Sequence, residues 1–275
     1  MPESIAPREP LPPYTVQAFN NAASMENKIH DDAVASQYGF RGALVPGAAV
    51  FGYMAHQPVA LWSREWLEHG SADCRFSQPV YDGAPVSVTA APLHDGLAIE
   101  VSSQGQSCAR GTAALHEAGA APAVDHYRFA KPPESALRPP ADRQSLAQGT
   151  ILCTHPLDTT AALSNQWLDE VRETDILYRS AGLVHPTMLL RLCNWALMQN
   201  VLLGPWIHTG SRVQHFNAMP VGASLAARGV ILRNYEHKGH QIVDVDLLVV
   251  IDGKTPAARI THTAIYQPRP PNHQQ

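Results

Sequence analysis

Residues 19–70 read FNNAASMENKIHDDAVASQYGFRGALVPGAAVFGYMAHQPVALWSREWLEHG, a polar loop followed by a long apolar segment. The loop carries one histidine, His30, and the apolar segment begins at Pro46 and Gly47. Because this segment is apolar on nearly all faces, it predicts a buried helix. The first amides of a helix lack an intrahelical partner and lie at the positive end of its dipole, so they stabilise a developing negative charge on oxygen. A histidine opposite them can transfer protons near neutral pH.

The composition restricts the class of protein. The chain has 275 residues, 45% hydrophobic and 16% charged, enough for one large domain or two fused ones. A net charge of -4 gives no electrostatic argument for a nucleic acid or membrane partner. The 23 prolines and 18 glycines favour short antiparallel strands with many turns, and hence the α+β class. The four cysteines form no CxxC pair, and no signal or spanning segment is recognised, so we expect a reduced, cytoplasmic protein without a metal site.

The chain divides into two similar halves. After the first helix, strands are predicted at 74–76, 86–91, 97–102 and 107–115, separated by turn sequences. About 140 residues later the order recurs. GLVHP at 182–186 resembles ALVPG at 43–47, FNAMPVG at 216–222 resembles FSQPVYDG at 76–83, and GKTPAARITHT at 253–263 resembles GQSCARGT at 105–112. We therefore predict an N-terminal unit (1–116), a Pro- and Ala-rich linker (117–145) and a C-terminal unit (146–275).

Details of the helices and of the second unit follow from single residues. Pro58 is expected to kink the first helix and Gly70 to cap it. The second helix is expected to run from Pro186 to the stop at Gly204-Pro205.

Because the second unit lacks an Asn-x-x-His loop, we expect its site to be degenerate, completing the first site rather than working alone. His185, at the second helix entrance, is interpreted first as a structural helix-start residue and second as catalytic.

The loop and helix entrance resemble the signature of the MaoC-like (R)-specific enoyl-thioester hydratases and dehydratases of the hot-dog superfamily. The resemblance implies a double hot-dog fold, with each long helix wrapped by an antiparallel sheet. Three positions depart from the signature: Ser24 replaces a glycine, Lys28 a proline and Met25 the catalytic aspartate. The positions that fit are Phe19, Asn27, Ile29, His30, Ser36, Gly39, Phe40, Gly42, Leu44, Val45 and Gly47.

The resemblance implies a lyase of the hydratase or dehydratase type that acts on an α,β-unsaturated or 3-hydroxyacyl thioester, as in fatty acid metabolism. His30 would carry the proton, and the Gly47 amide would hold the thioester oxygen. Asn27 would orient a water or carbonyl, or else hold a turn. No cofactor is implied, because coenzyme A or an acyl-carrier arm belongs to the substrate, and a homodimer is compatible with the fold. The candidate substrate-binding residues are Met25, Arg41, Val45, Pro46 and Tyr53.

The methionine in place of the aspartate opens alternatives. Methionine cannot position or deprotonate a water, and losing one member of an acid–base pair costs about 100- to 10,000-fold in rate. Asp169, Glu170 or Asp175 of the second unit could replace the missing carboxylate in space. The other hypotheses are a hot-dog thioesterase, an elimination or cyclisation enzyme of specialised metabolism, and a non-catalytic acyl-CoA-binding subunit. The absence of Walker, GxGxxG, HExxH and GxSxG motifs argues against nucleotide, nicotinamide, zincin and serine-hydrolase chemistry.

Overall fold

A computed structural model describes residues 7, 9–22 and 26–269 of the chain. Its helices and strands follow one another along the chain and are bounded as follows. They are β1 Leu11–Gln17, α1 Asp32–Gln37, α2 Gly47–His69, β2 Gly70–Phe76, β3 Pro85–Leu93, β4 Gly96–Ser103, β5 Gln106–Leu115, β6 Ile151–Cys153, β7 Leu157–Asp158, α3 Ala161–Glu170, α4 Leu177–Ala181, α5 Thr187–Met198, β8 Ile207–His215, β9 Ser224–His237, β10 His240–Ile251 and β11 Thr255–Gln267.

The strands form one antiparallel sheet in the order β1-β3-β4-β5-β2-β8-β11-β10-β9-β6, with β7 also paired to β9. The first half of the chain supplies β1 to β5 and the second half β6 to β11, and the halves join where β2 pairs with β8. Opposite residues at this seam include Cys74 with Ser211 and Arg75 with Gly210. The long helix α2 contacts β5, β8 and β4, while α5 contacts β9 and β11. Each half therefore packs its long helix mainly against its own part of the common sheet, and one hydrophobic core runs through both.

The predicted internal repeat is present in the backbone hydrogen bonds. The amide of Val45 donates to the Val80 carbonyl at 2.8 Å, and the amide of Val184 donates to the Met219 carbonyl at 2.8 Å. Isolated bridges at equivalent places pair Leu44 with Tyr81 and Leu183 with Pro220. Each member of the second set follows its counterpart in the first by about 140 positions, as the sequence repeat predicted.

The two long helices differ from the sequence prediction in detail. Helix α2 is capped at Gly70 as expected, but its non-helical residue is Ser63 (φ 52°, ψ −138°), not Pro58. Helix α5 ends at Met198, so the prediction that it continues to Gly204 was wrong. The side-chain amide of Asn200 donates to the carbonyls of Ala196 and Cys153, both at 2.7 Å, and so terminates the helix early. Within the described part of the chain, no helix is long and apolar enough to cross a membrane.

Candidate active site

The loop before α1 is fixed by side-chain caps. Asn27 begins a 3₁₀ turn over Lys28–His30, and its Oδ1 accepts from the amide of Ile29 at 3.3 Å. Asp31 caps α1 by accepting from the amides of Ala33 and Val34 at 3.0 and 3.1 Å. Short polar side chains at these two positions satisfy backbone donors that the turns leave unpaired. His30 therefore lies between two capped turns, which limits its freedom.

The imidazole of His30 has a defined tautomer. Its Nδ1 atom lies 2.7 Å from the carbonyl oxygen of Leu44. Since a carbonyl oxygen can only accept, Nδ1 carries the proton and Nε2 keeps its lone pair. Burial lowers the pKa of His30, and the hydrogen bond to Leu44 opposes this effect. A neutral imidazole with Nε2 available as a proton acceptor is the state that a general base requires.

Asn27 connects this loop to the second half of the chain. Its Nδ2 donates to the carbonyl of Trp206 at 3.0 Å, and its Oδ1 accepts from the amide of Trp206 at 3.3 Å. The same Nδ2 lies 3.5 Å from Nε2 of His30, at the limit of hydrogen-bonding distance. The side chain is only 6% exposed. Of the two N–H groups on Nδ2, one donates to Trp206, so Asn27 has one N–H left on the side of His30.

Gly47 opens helix α2 directly after Pro46, and no described side chain caps this end. A Cβ atom at Gly47 would lie 2.9 Å from Nδ1 of His208 and 3.1 Å from the Phe76 ring. Only glycine fits this gap without displacement of a neighbour. The amide at the helix start is thus left to a ligand, in the position where a helix end favours negative charge.

His30, Asn27 and Gly47 border one cavity of about 310 Å³ between the two halves. Its walls are mostly apolar, with a few polar side chains among them. The lining is Asn27, Ile29, His30, Phe40, Leu44, Val45, Pro46, Gly47, Val50, Phe76, Ser77, Gln78, Pro79, Val80, Asn194, Trp206, Ile207, His208, Thr209, His240 and Ile265. An apolar cleft with a few convergent polar groups is typical of a small-molecule site. A second cavity, of about 30 Å³, shares His30, Asn27 and Pro46 and reaches Arg191.

Several buried polar atoms around the two cavities have no hydrogen-bond partner among the described residues. They are Oδ1 of Asn194, Nε1 of Trp206 and Nδ1 of His208, together with Nη1 of Arg191 beside the smaller cavity. Buried polar groups in proteins are almost always paired. Their convergence on these cavities therefore indicates a site whose hydrogen bonds are completed by a ligand.

Solved structures with the same architecture cover nearly the whole chain. A MaoC domain protein from Chloroflexus aurantiacus is 12% identical (TM-score 0.59), with 94% of each chain covered. A conserved protein of Mycobacterium tuberculosis, described as a double hot-dog, is 13% identical (TM-score 0.59), with 92% of this chain and 95% of that chain covered. This chain has the double hot-dog fold.

The same fold is seen in a MaoC-like dehydratase that is 12% identical (TM-score 0.56), where 95% of this chain and 97% of that chain are covered. No protein-family model and no curated protein matches the sequence. At these identities the likeness establishes the fold and leaves the chemistry to the residues of the site. The α+β double hot-dog architecture predicted from the sequence is confirmed.

The double hot-dog fold brings some of the predicted substrate-binding residues together and separates others. Val45 and Pro46 line the main cavity, whereas Arg41 and Tyr53 do not. The guanidinium of Arg41 is exposed, donates to Gln104 at 2.9 Å and lies over the Tyr81 ring. Tyr53 is fully buried in the core, and its hydroxyl accepts from the Phe19 amide at 3.2 Å. Met25 lies outside the described residues.

The carboxylates proposed to replace the aspartate are engaged elsewhere. Asp169 pairs with Arg179 at 2.7 Å, and Asp175 accepts from the amide of Leu177, the first residue of α4, at 2.8 Å. Glu170 accepts from Asn21 at 3.0 Å and from Arg191 at 3.1 Å. Among the described residues, no Asp or Glu lines either cavity. The described part of the site therefore offers His30 no carboxylate partner.

The equivalent helix entrance of the second half holds an internal polar network. Nε2 of His185 lies 3.4 Å from Oε2 of Glu173, and Nδ1 of His56 lies 2.8 Å from Oε1. Nδ1 of His185 accepts from the amide of Thr187, so Nε2 carries the proton toward Glu173. Burial would raise the pKa of Glu173, but the hydrogen bonds from His185 and His56 hold it well below its usual range. Neither cavity reaches this network, which favours the structural interpretation of His185.

The second half contributes to the site, as expected from the sequence, but through residues that the sequence did not single out: Asn194, Trp206 and His208. Asn194 on α5 interrupts an otherwise apolar helix, and this polar residue is the one local signal for its position on the cavity. Trp206 and His208 carry no local signal, because the pairing of β8 with β2 is what brings them to the cavity.

Proposed function

We propose that this double hot-dog protein is an acyl-thioester lyase that adds water to an α,β-unsaturated thioester or removes it from the 3-hydroxyacyl product. The observation that carries the proposal is the position of two groups on one cavity. His30 presents an imidazole whose Nε2 lone pair is available, and Gly47 presents the uncapped start of α2. A proton carrier and an oxyanion donor are the two functions that addition next to a thioester carbonyl requires.

In the hydration direction, Nε2 of His30 takes a proton from water while the water oxygen bonds to C3 of the substrate. The electron pair of the C2=C3 bond moves toward the thioester oxygen, and the Gly47 amide stabilises the resulting enolate. The imidazolium of His30 then returns its proton to C2, so the histidine ends unchanged. Asn27 anchors the loop that carries His30 to the second half through Trp206, which leaves Nε2 of His30 to the water. Dehydration follows the same steps in reverse.

The lining of the site supports a thioester with an apolar acyl chain. Ile29, Val50, Phe76, Val80 and Ile265 offer apolar surface around the proposed reaction centre. The carrier, coenzyme A or an acyl-carrier arm, belongs to the substrate, and the proposed chemistry uses no further cofactor.

The test is the hydration of a panel of enoyl-CoA thioesters of increasing chain length by the wild type and by His30→Ala. We expect turnover by the wild type and a loss of about 100- to 10,000-fold in the variant. His126→Ala is the matched control, because His126 is exposed and lies outside both cavities. Equal turnover by the wild type and His30→Ala would refute the role of His30.

The products separate the alternatives. Release of free thiol, detected with a thiol reagent, would indicate a thioesterase. Tight binding without any product would indicate an acyl-CoA-binding subunit. Absence of both binding and turnover across the panel would direct the search to an unusual lyase substrate.

A further inference from the structure

His208 on β8 is a buried histidine with one ring nitrogen directed at the helix start. The side chain is 7% exposed and lines the main cavity. Its Nδ1 has no hydrogen-bond partner among the described residues. The same atom lies 2.9 Å from the place that a Cβ on Gly47 would occupy. The unpaired nitrogen is therefore next to Gly47, the residue whose amide is assigned to the thioester oxygen.

The opposite side of the ring is held by a serine hydroxyl, which also bonds to a second histidine. Nε2 of His208 lies 2.9 Å from Oγ of Ser211, and the same Oγ lies 2.9 Å from Nδ1 of His262. Ser211 and His262 face each other on the paired strands β8 and β11. The Phe76 ring packs on His208 in a T-shaped arrangement with 4.8 Å between ring centroids. The imidazole is thus fixed in orientation.

The hydrogen-bond chain determines where the proton of His208 lies. The hydroxyl of Ser211 has one proton, so it donates to one imidazole and accepts from the other. If it donated to His262, the Nε2–H of that fully buried residue would be left without a partner among the described residues. The opposite arrangement leaves the N–H at Nδ1 of His208 instead, but that atom belongs to a residue that lines the main cavity, where a ligand can accept from it, whereas His262 does not line this cavity. The favoured arrangement has Ser211 donating to Nε2 of His208, which places the proton on Nδ1, toward the cavity.

His208 is neutral under ordinary conditions. Burial lowers its pKa to about 3, which outweighs the opposing effect of the Gly210 backbone. Because this imidazole carries no positive charge, it does not act as a general acid in the way that an imidazolium does. Its N–H can still donate a hydrogen bond. Neutral histidines serve as electrophilic donors to carbonyl groups in this way.

We propose that His208 is a second oxyanion donor, whose Nδ1–H binds the thioester carbonyl oxygen together with the amide of Gly47. This inference rests on the proposed function, since it assigns a residue of the second half to the same thioester. It also accounts for the degenerate second unit, which retains a catalytic contribution at the site of the first.

The test combines kinetics with the vibrational spectrum of a bound substrate. The wild type, His208→Phe and His208→Gln are compared with crotonyl-CoA carrying a ¹³C-labelled thioester carbonyl. In His208→Phe we expect kcat to fall about 100- to 1,000-fold, since one oxyanion donor is removed, while KM changes little. The infrared carbonyl band of the bound substrate should shift to higher frequency. His208→Gln, which retains an N–H donor, should recover part of both effects.

His215→Phe is the matched control. His215 lies on the same strand, is 3% exposed and also has a pKa lowered by burial to about 3. It packs against Trp66 and does not line the cavity. Its replacement should change neither kcat nor the carbonyl band, and circular dichroism checks that all variants are folded.

Failure of the inference and failure of the proposed function give different results. A wild type that turns over, with unchanged kcat and carbonyl band in a folded His208→Phe, would overturn the role of His208. A wild type that binds without turnover would overturn the lyase proposal, and the carbonyl band would then decide the role of His208 by itself. A wild type that binds neither crotonyl-CoA nor any of the longer thioesters would overturn both the lyase proposal and the role of His208.

Discussion

Asn27 and Trp206 are joined by two hydrogen bonds, from Nδ2 to the carbonyl at 3.0 Å and from the amide to Oδ1 at 3.3 Å. One residue belongs to the loop of the first half and the other to the segment before β8 in the second. The side chain thus replaces a pair of backbone contacts and holds the two halves together beside His30. The site is a property of both halves, even though its proposed proton carrier belongs to one.

Replacing Asn27 by alanine should reduce both stability and turnover. The amide and carbonyl of Trp206 would lose their partners, at a cost of about 2 kcal/mol in the free energy of unfolding. Because the loop then loses an anchor, we expect kcat/KM for an enoyl thioester to fall by at least about tenfold. Urea unfolding and steady-state kinetics measure the two effects. In Asn217→Ala, which removes an exposed amide that donates to the Pro256 carbonyl, both should remain nearly unchanged.

Gly47→Ala should damage activity more than folding. Alanine favours the helix by up to about 1 kcal/mol relative to glycine, but its Cβ would crowd His208 and Phe76. A displacement of this size at a reaction centre costs roughly 100-fold in kcat/KM. Calorimetry and kinetics together test this expectation. Gly119→Ala, at an exposed glycine with open space around it, is the control, and equal turnover in both variants would contradict the role of the helix start.

The pH dependence of turnover should report the lowered pKa of His30. The base form is the neutral imidazole, and burial shifts its pKa below the usual 6.5. The kcat/KM of the wild type should therefore stay level near neutral pH and decline only on acidification, with its midpoint below 6.5. A midpoint above 6.5 would mean that His30 is stabilised as a cation, contrary to this assignment.

The stability of the protein should fall below pH 6.5. His208, His215 and His262 have pKa values lowered by burial, so protonation favours the unfolded chain, where each titrates near 6.5. Their contribution is fully present above that pH and is lost as the pH falls below it. Each histidine contributes at most about 1.4 kcal/mol per pH unit to the slope of the unfolding free energy. Urea unfolding from pH 7.5 to 5 measures this slope, and His215→Phe should reduce it by about one such increment.

Glu173→Gln should destabilise the protein without removing its activity. Glu173 is buried between His56 and His185, and breaking such a pair costs about 3 kcal/mol or more. Since neither cavity reaches this network, turnover by the folded variant should equal that of the wild type. If turnover were lost while the unfolding free energy stayed the same, the working site would have to be assigned to the second half.

Local sequence signals predicted much of the fold and the first half of the site. The α2 helix, its cap at Gly70 and the strands that follow it depend on hydrophobic periodicity and turn residues close in sequence. His30, Asn27 and Gly47 lie within about 20 positions of one another, and the loop and helix entrance bring them to one cavity. The recurrence of these signals about 140 residues later also predicted the two fused units.

Only the tertiary structure decided the contacts between residues that are far apart in the chain. The pairing of β2 with β8 brings His208 beside Gly47, and nothing near His208 in the sequence specifies that neighbour. The guanidinium of Arg41 bonds to Gln104, in the turn between β4 and β5, and does not line the cavity. This contact also joins residues that are far apart in the chain. The sequence by itself determined helix α2, the strands that follow it and the loop carrying His30, because those depend on neighbours along the chain. The tertiary structure completed the site, because burial, tautomer and hydrogen-bond partner depend on the neighbours in space.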